Sequence, residues 1–365
     1  MRNPTGLGPH HSFKLTAFGR PLTETTAPVA APTGTEVLLR VLACGVCHSD
    51  LHIADGYFEL GAGKRLDLAK GIALPRTLGH EIAGEVVAVG PQASGVRIGD
   101  KRVVYPWIGC SLCALCRAGQ EHLCAQPSTH GTTIDGGFSN YVSVPQARYL
   151  LDFGSLPVTY AATLACSGLT AFSALRKAGP VADDSPLLII GAGGVGLAAV
   201  SIARALHGVG PIVADIDPVK RQGALDAGAS EAVDPQDPES RRRLSKQTSG
   251  GFAAAIDFVG APASTEFGLS LLRKGGKLVA VGLFGGAIEL ALPMLPLKSI
   301  SLVGSYVGSL DEMAELVTLA RGGKLKPMQI ETRPLGDAQA TMDALRSGRI
   351  VGRAVLAPTD EPAPG

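Results

Sequence analysis

Residues 110–124 carry four cysteines in the spacing C-x2-C-x2-C-x7-C: Cys110, Cys113, Cys116 and Cys124. Four thiolates gathered by so short a loop make a closed tetrahedral zinc site with no position left for a substrate. The same spacing begins ferredoxin motifs, so a four-sulfur iron cluster is the chemical alternative. Four unpaired surface thiols would be the bland one. On the zinc reading the cluster clamps a loop and does no chemistry. A second pair, Cys44 and Cys47, lies in ACGVCHSDLH (43–52), followed by histidine, serine, aspartate and histidine. C-x-x-C serves both thiol redox and zinc chemistry, and spacing alone does not choose.

Gly191-Ala192-Gly193-Gly194-Val195-Gly196 matches G-x-G-x-x-G, after the apolar run LLII (187–190) and at the opening of VGLAAVSIARAL. That context makes the motif a dinucleotide turn. Gly191 permits the tight turn, Gly193 lets backbone approach a pyrophosphate, and Gly196 allows close helix–strand packing. The helix N-terminus then favours the phosphate charge. Asp215, 19 residues past Gly196, ends the next apolar run. A carboxylate there accepts from the adenosine ribose hydroxyls and repels a 2′-phosphate, which favours NAD over NADP. Asp217 precedes Pro218 and reads as a helix N-cap. Lys220 either reaches the same ribose or is a solvated helix lysine.

These residues need two kinds of scaffold. From 35 to about 150, short Val-rich runs (TEVLLRVLA, EIAGEVVAVG, DKRVVYP, SNYVSVP) stand between Gly/Pro breaks, the pattern of a small barrel or sandwich. TYAATLACSGLTAFSALRKA (159–178) has apolar residues at helical spacing, with Gly179 to stop it. Strand and helix then alternate through PIVADI (211–216), PVKRQGALDAGA (218–229), AAAIDFVG (253–260), a helix over 265–276 and KLVAVGLF (277–284). Such alternation implies a parallel sheet covered on both faces. Helices at 311–323 and in DAQATMDALRSG and a closing strand in IVGRAVLAP follow, and the proline-rich tail after 357 reads as disordered.

Lys plus Arg number 33 against 32 Asp plus Glu, a net charge of +1, so no pull toward nucleic acid or an acidic membrane is visible. The start, MRNPTGLGPHHSF, lacks a signal-peptide profile. PLLIIGAGGVGLAAVSIA (186–203) is uncharged and about membrane-long, but its glycines fit a turn better than a span. A cytoplasmic enzyme-sized chain of 365 residues is expected, in which the seven cysteines are metal-binding or catalytic before they are disulfide-bonded.

With a four-cysteine loop, a glycine turn and CHSD together, the chain resembles the zinc-containing alcohol dehydrogenases of the medium-chain dehydrogenase/reductase family, from residue 15 to residue 357. The resemblance implies an α/β fold in two parts. A GroES-like β-rich catalytic domain (1–166 and 309–365) surrounds in sequence a Rossmann doubly wound parallel-sheet domain (167–308). It also implies two zinc ions per chain, the second held by Cys47, His80 of GHE-x-x-G and Cys166, with an open fourth position. Zinc there polarises an alcohol oxygen and lowers its pKa, and NAD accepts the hydride. Ser49 would take the alcohol proton and pass it by way of the nicotinamide ribose to His52. Asp50 would orient His80, and Glu81 would swing onto the zinc during exchange. His48 and Arg353 would contact the cofactor pyrophosphate.

On this resemblance the C-x-x-C pattern is coincidental. No βαβ unit surrounds it, a disulfide would consume the thiolate zinc needs, and Cys44 is left as a small buried residue. One departure stands out: 32 residues separate Cys47 from His80, more than compact members carry, with the excess in 58–75. That loop should lie near the substrate entrance, with Tyr57, Phe58 and Trp107 as candidate pocket walls. The substrate would be a primary or secondary alcohol, or its aldehyde or ketone. The alternatives are an NADPH-preferring aldehyde reductase of the same family and a non-catalytic zinc protein. A homo-oligomer, dimer or tetramer, would pair through the sheet edge SLVGSYVG (301–308).

Overall fold

The structure, a computed structural model, describes residues 6–180, 186–248 and 250–358. Six strands form an all-parallel sheet in the order Glu231–Val233, Ile212–Ala214, Leu188–Ile190, Phe252–Asp257, Leu272–Ala280, Ser301–Gly304. Numbered by appearance in the chain, that order is 3-2-1-4-5-6. It reverses beside Leu188–Ile190, and ligands of such sheets bind at the carboxyl ends of the strands at that reversal. Leu188–Ile190 and Ile212–Ala214 are short apolar runs, buried because helices cover both faces.

The second large sheet is mainly antiparallel and runs Leu150–Asp152, Lys101–Val104, Glu81–Val89, Val37–Gly45, Arg353–Ala357, Ile330–Pro334, with Tyr141–Val144 also on Val37–Gly45. The last two strands come from the far end of the chain, so the carboxyl-terminal segment closes the sheet begun by the amino-terminal one. Val355 pairs with Gly45 and Leu356 with Cys44, which sets the closing strand directly behind CHSD.

Several expectations are revised. The helix expected over 265–276 ends at Ser270, and the fifth strand of the parallel sheet in chain order begins at Leu272. Leu271 and Leu272 are buried, and the register with Phe252–Asp257 slips between Phe252 and Ala254, which lets the polar RKGG segment bulge. Part of the 58–75 segment is not a loop but a hairpin, Tyr57–Gly61 with Lys64–Asp67. CHSD, given no secondary structure from the sequence, opens a helix over His48–Asp55. The 186–203 segment divides into a strand, a turn and the helix Gly194–His207. Among the described residues one helix, Val158–Ala178, is long and apolar enough to cross a membrane, and most of it is buried in the fold. The expected disorder of the proline-rich tail concerns residues 359–365, outside those described.

Candidate active site and metal centres

Asp50 explains the local fold of ACGVCHSDLH. Its Oδ2 accepts from the Cys47 backbone N–H (2.8 Å), capping the His48–Asp55 helix. Oδ1 accepts from Gly79 N–H (3.2 Å) and faces His80 Nδ1 at 3.2 Å. One buried carboxylate thus fixes the helix bearing Cys47 against the segment bearing His80. Cys166 comes from a third element. The Val158–Ala178 helix widens into a π-turn at Leu164–Gly168, a distortion frequent at functional sites. The turn brings Cys166 to Cys47 and His80, and the ligand atoms of all three lie within 4.8 Å of one another.

All three are buried, and with Nδ1 held by Asp50 the remaining ring nitrogen, His80 Nε2, has no protein partner. A buried ring nitrogen left unpaired is costly unless a ligand uses it. Two thiols and that nitrogen form a three-donor set that fits a zinc ion with one position to spare. The Cys166 thiol, donating to Cys47, holds the Cys47 thiol well below its ordinary range against the opposing effect of burial. That bond, with burial, pushes Cys166 up. Burial pushes His80 down, but the Asp50 carboxylate outweighs it and raises the ring's pKa. Cys44 is fully buried and its thiol is pushed up by burial, in keeping with a packing residue.

The four cysteines of 110–124 also converge within 4.8 Å. Sγ of Cys113 lies 3.4 Å from that of Cys116 and 4.0 Å from that of Cys124, and Cys110 lies 3.9 Å from Cys116. Backbone N–H groups of Cys110, Cys113, Cys116 and Gln126 point at these sulfurs from 3.3–3.5 Å, as suits thiolates. Buried Glu121 ties the lobe to the sheet by accepting from Gly109 N–H (3.2 Å) and Tyr149 Oη (2.7 Å).

Glu81 and Arg353 form a buried bidentate pair, with Arg353 Nε donating to Glu81 Oε2 at 2.9 Å and Nη2 to Oε1. Ser167 N–H, from the π-turn, donates to the same carboxylate at 3.0 Å. Burial pushes the Glu81 carboxyl up and the guanidinium opposes it. The other edge of Arg353 reaches the glycine turn, where a Cβ on Gly194 would lie 3.1 Å from Nη1. Arg353 therefore sits between the three-ligand cluster and the turn. Gly191 has φ +93°, and a Cβ at Gly196 would collide with the Gly191 carbonyl. Nothing lies within 4 Å of a Cβ position on Gly193, and no side chain caps the helix it starts. Open space beside uncapped N–H groups fits a pyrophosphate.

Asp215 follows the Ile212–Ala214 strand, as expected, and its carboxylate accepts from Ala192 N–H (2.7 Å) and Asp217 N–H (2.9 Å). It thus shapes the turn that it would help to read. Asp217 caps the next helix through Val219 N–H (2.8 Å). Lys220 lies on that helix, half-buried. His48 is exposed in the cleft with its ring 6.2 Å from Phe284. Ser49 Oγ stands 3.8 Å from Cys47 Sγ. The ring of half-buried His52 lies tilted against Phe58 (4.7 Å), and burial lowers its pKa.

Of the expected pocket walls, Trp107 packs 5.3 Å from the His80 ring and donates to the Ala165 carbonyl (3.2 Å). Tyr57 lies instead under Arg65 within the hairpin, 3.9 Å from its guanidinium carbon. Two residues missed in the sequence stand at this cleft: Tyr306, edge-on to Trp107 at 5.8 Å, and Phe284 beside His48. Each lies just past the carboxyl end of a parallel strand, a position the strand pattern could have flagged. The hairpin tip leans on the loop near Phe284: a Cβ on Gly61 would meet Ala287 N at 2.7 Å, and one on Gly285 would collide with the Glu59 carbonyl.

A dinucleotide-type sheet beside a β-rich domain with two such clusters is the architecture of zinc-binding dehydrogenases. Family models described as alcohol dehydrogenase GroES-like domain and zinc-binding dehydrogenase match residues 33–153 and 194–321. The chain is 38% identical over 350 residues to an NAD-dependent alcohol dehydrogenase of Sulfurisphaera tokodaii, covering 95% of this chain and 99% of that one. It is 35% identical over 349 residues to a D-arabinose 1-dehydrogenase (NADP(+)) of Saccharolobus solfataricus, covering 94% and 96%. The crystal structure of the alcohol dehydrogenase from Aeropyrum pernix matches with a TM-score of 0.85 at 29% identity, over 95% of this chain and 100% of that one. The chain belongs to the zinc-containing alcohol dehydrogenase family of medium-chain dehydrogenases/reductases.

Proposed function

We propose that the protein is an NAD-dependent zinc alcohol dehydrogenase interconverting a primary or secondary alcohol and its aldehyde or ketone. The observation that carries this reading is His80, whose Nδ1 is fixed by Asp50 while Nε2 is buried, unpaired and beside two thiols. Zinc held by Cys47, His80 and Cys166 supplies Lewis acidity toward the alcohol oxygen, and NAD supplies the hydride acceptor. Around them Ser49 Oγ receives the alcohol proton and the His52 imidazole releases it toward solvent. Asp50 keeps His80 in the tautomer that ligates. Glu81, held by Arg353, is the carboxylate in reserve beside the metal ligands. His48 and Arg353 flank the pyrophosphate, Asp215 and Lys220 the adenosine ribose, and Trp107 and Phe58 the substrate. Cys110, Cys113, Cys116 and Cys124 hold a structural zinc.

In this reading 1–166 with 309–365 form the catalytic domain and 167–308 the cofactor domain. The enzyme is cytoplasmic and associates through the Ser301–Gly304 edge strand, on which Leu302 is exposed. Steady-state rates with NAD and NADP over short, long and aromatic alcohols test the activity. A preference for NADP of about tenfold or more, worth about 1.4 kcal/mol, would overturn the cofactor assignment. Metal analysis should find two zinc ions per chain, and one would remove either the lobe site or the catalytic site.

A further inference from the structure

Asp257 ends the fourth strand of the parallel sheet in chain order, next to the reversal point, and is fully buried. Each of its carboxylate oxygens has two polar groups at hydrogen-bond distance. Oδ1 accepts from Val259 N–H (2.9 Å) and Gly260 N–H (3.0 Å), and Oδ2 from Ser264 Oγ (2.9 Å) and Thr265 Oγ1 (2.8 Å). A carboxylate has about four lone-pair sites, so none is left for a substrate or an ion. Its work is internal, and the question is what it holds in place.

The answer lies in the backbone. The Asp257 carbonyl accepts from Val281 N–H (2.9 Å) and Gly282 N–H (3.0 Å). The loop that its carboxylate shapes accepts two more bonds from the same neighbour: Phe284 N–H on Val259 O (3.2 Å) and Gly285 N–H on Gly260 O (3.0 Å). The 258–260 loop is thus a template on which the 281–285 loop is laid. It also touches the glycine turn, since Phe258 N–H donates to Ile190 O (2.9 Å) and a Cβ on Gly191 would lie 2.7 Å from Val259. At its other end the 281–285 loop places Phe284 beside His48.

A dinucleotide lies across the strand ends with its pyrophosphate at the reversal point. Asp215 marks the adenosine side, just past the second strand, so the fourth and fifth strands, with the loops after Asp257 and Ala280, receive the nicotinamide half. We propose that Asp257 is a positioning residue for that half alone: it touches no cofactor atom but fixes the 258–260 loop and, through it, the 281–285 loop. This rests on the dehydrogenase reading above.

The test compares NADH with ADP-ribose, which lacks the nicotinamide, as ligands of the zinc-loaded full chain and its Asp257→Asn variant. The amide keeps the shape and removes the charge and one acceptor face. NADH should bind about tenfold or more weakly to the variant, with ADP-ribose within about twofold of wild type. Amide exchange over 281–285 should speed up while that over 191–196 does not. Equal weakening of both ligands, or of neither, would overturn the proposal. Should the variant fail to fold, Ser264→Ala with Thr265→Ala removes two donors and keeps the carboxylate on its backbone N–H groups. The same selective loss is expected there, and its absence would count equally against Asp257. A wild-type chain that binds neither NADH nor ADP-ribose would instead sink the dehydrogenase reading itself.

Discussion

Two substitutions in the glycine turn should separate binding from stability. Gly193 has φ −73° and open space around a Cβ position, so Gly193→Ala is tolerated by the fold. Its cost is that of a poorer helix N-cap, about 1 kcal/mol at most. The new methyl group, however, enters the space that backbone must leave for the pyrophosphate. At Gly196 the opposite holds. A Cβ runs into the Gly191 carbonyl, and neither partner can turn aside because both are backbone. Overpacking of that kind costs about 1–3 kcal/mol or more, against about 1 kcal/mol regained from helix propensity. Gly196→Ala should therefore lower the melting temperature further than Gly193→Ala does, at about 2–4 °C per kcal/mol. NADH binding should fall about a hundredfold in Gly193→Ala, an expected loss of about 2–3 kcal/mol. Trp107, the single tryptophan in the chain and 5.3 Å from the His80 ring, gives a fluorescence signal for that titration. If Gly193→Ala binds NADH like wild type, or melts below Gly196→Ala, the assignment of the two glycines is wrong.

Other perturbations follow from the same geometry. Cys47→Ala should abolish turnover and leave one zinc per chain. Cys44→Ala should keep two zinc ions and most activity, and equal losses would reassign the pair. Asp215→Asn should raise kcat/KM for NADP relative to NAD. It should also weaken NAD outright, because one of the two backbone donors on Asp215 would then face an amide N–H; an unchanged NADP:NAD ratio would refute the ribose role. His130 is fully buried, and burial pushes its pKa down from 6.5 to about 4. Below pH 6.5 the unfolded chain takes up a proton that the folded chain refuses until about pH 4, so stability falls as pH falls across that window. At about 1.4 kcal/mol per pH unit, His130 accounts for about 2 kcal/mol lost between pH 7 and pH 5. Denaturant unfolding of His130→Asn should lose that much less over the same interval, and a loss equal to wild type would show that His130 titrates elsewhere.

What could be read from the sequence was whatever short-range spacing encodes. The four-cysteine loop and the glycine turn each lie within one stretch, and the structure gathers them as spaced. His80 and Cys166 were different, because 33 and 119 positions separate them from Cys47. Only the resemblance joined them. The means of joining were invisible: a capping carboxylate that doubles as the partner of His80, and a π-turn that turns Cys166 toward it. The π-turn has no residue signature of its own. Asp257 was passed over for a related reason, as a lone acid at a strand end means nothing until the loops it accepts from are known. The hairpin within 58–75 did carry a signal, the Gly-Ala-Gly turn between two short runs.

Arg353 shows why the chain must return to its first domain. The strand it begins pairs through Val355 and Leu356 with Gly45 and Cys44, so the register that closes the sheet also sets the guanidinium behind the His48–Asp55 helix. From there one planar group serves two masters. Its Nε and Nη2 edge holds Glu81, which also takes the Ser167 N–H of the π-turn, while Nη1 borders Gly194. A lysine would offer a point charge in place of a fork and could hold only one side at a time. Glu81 and the glycine turn border different sheets, and a buried arginine from the last strand is what spans the gap between them.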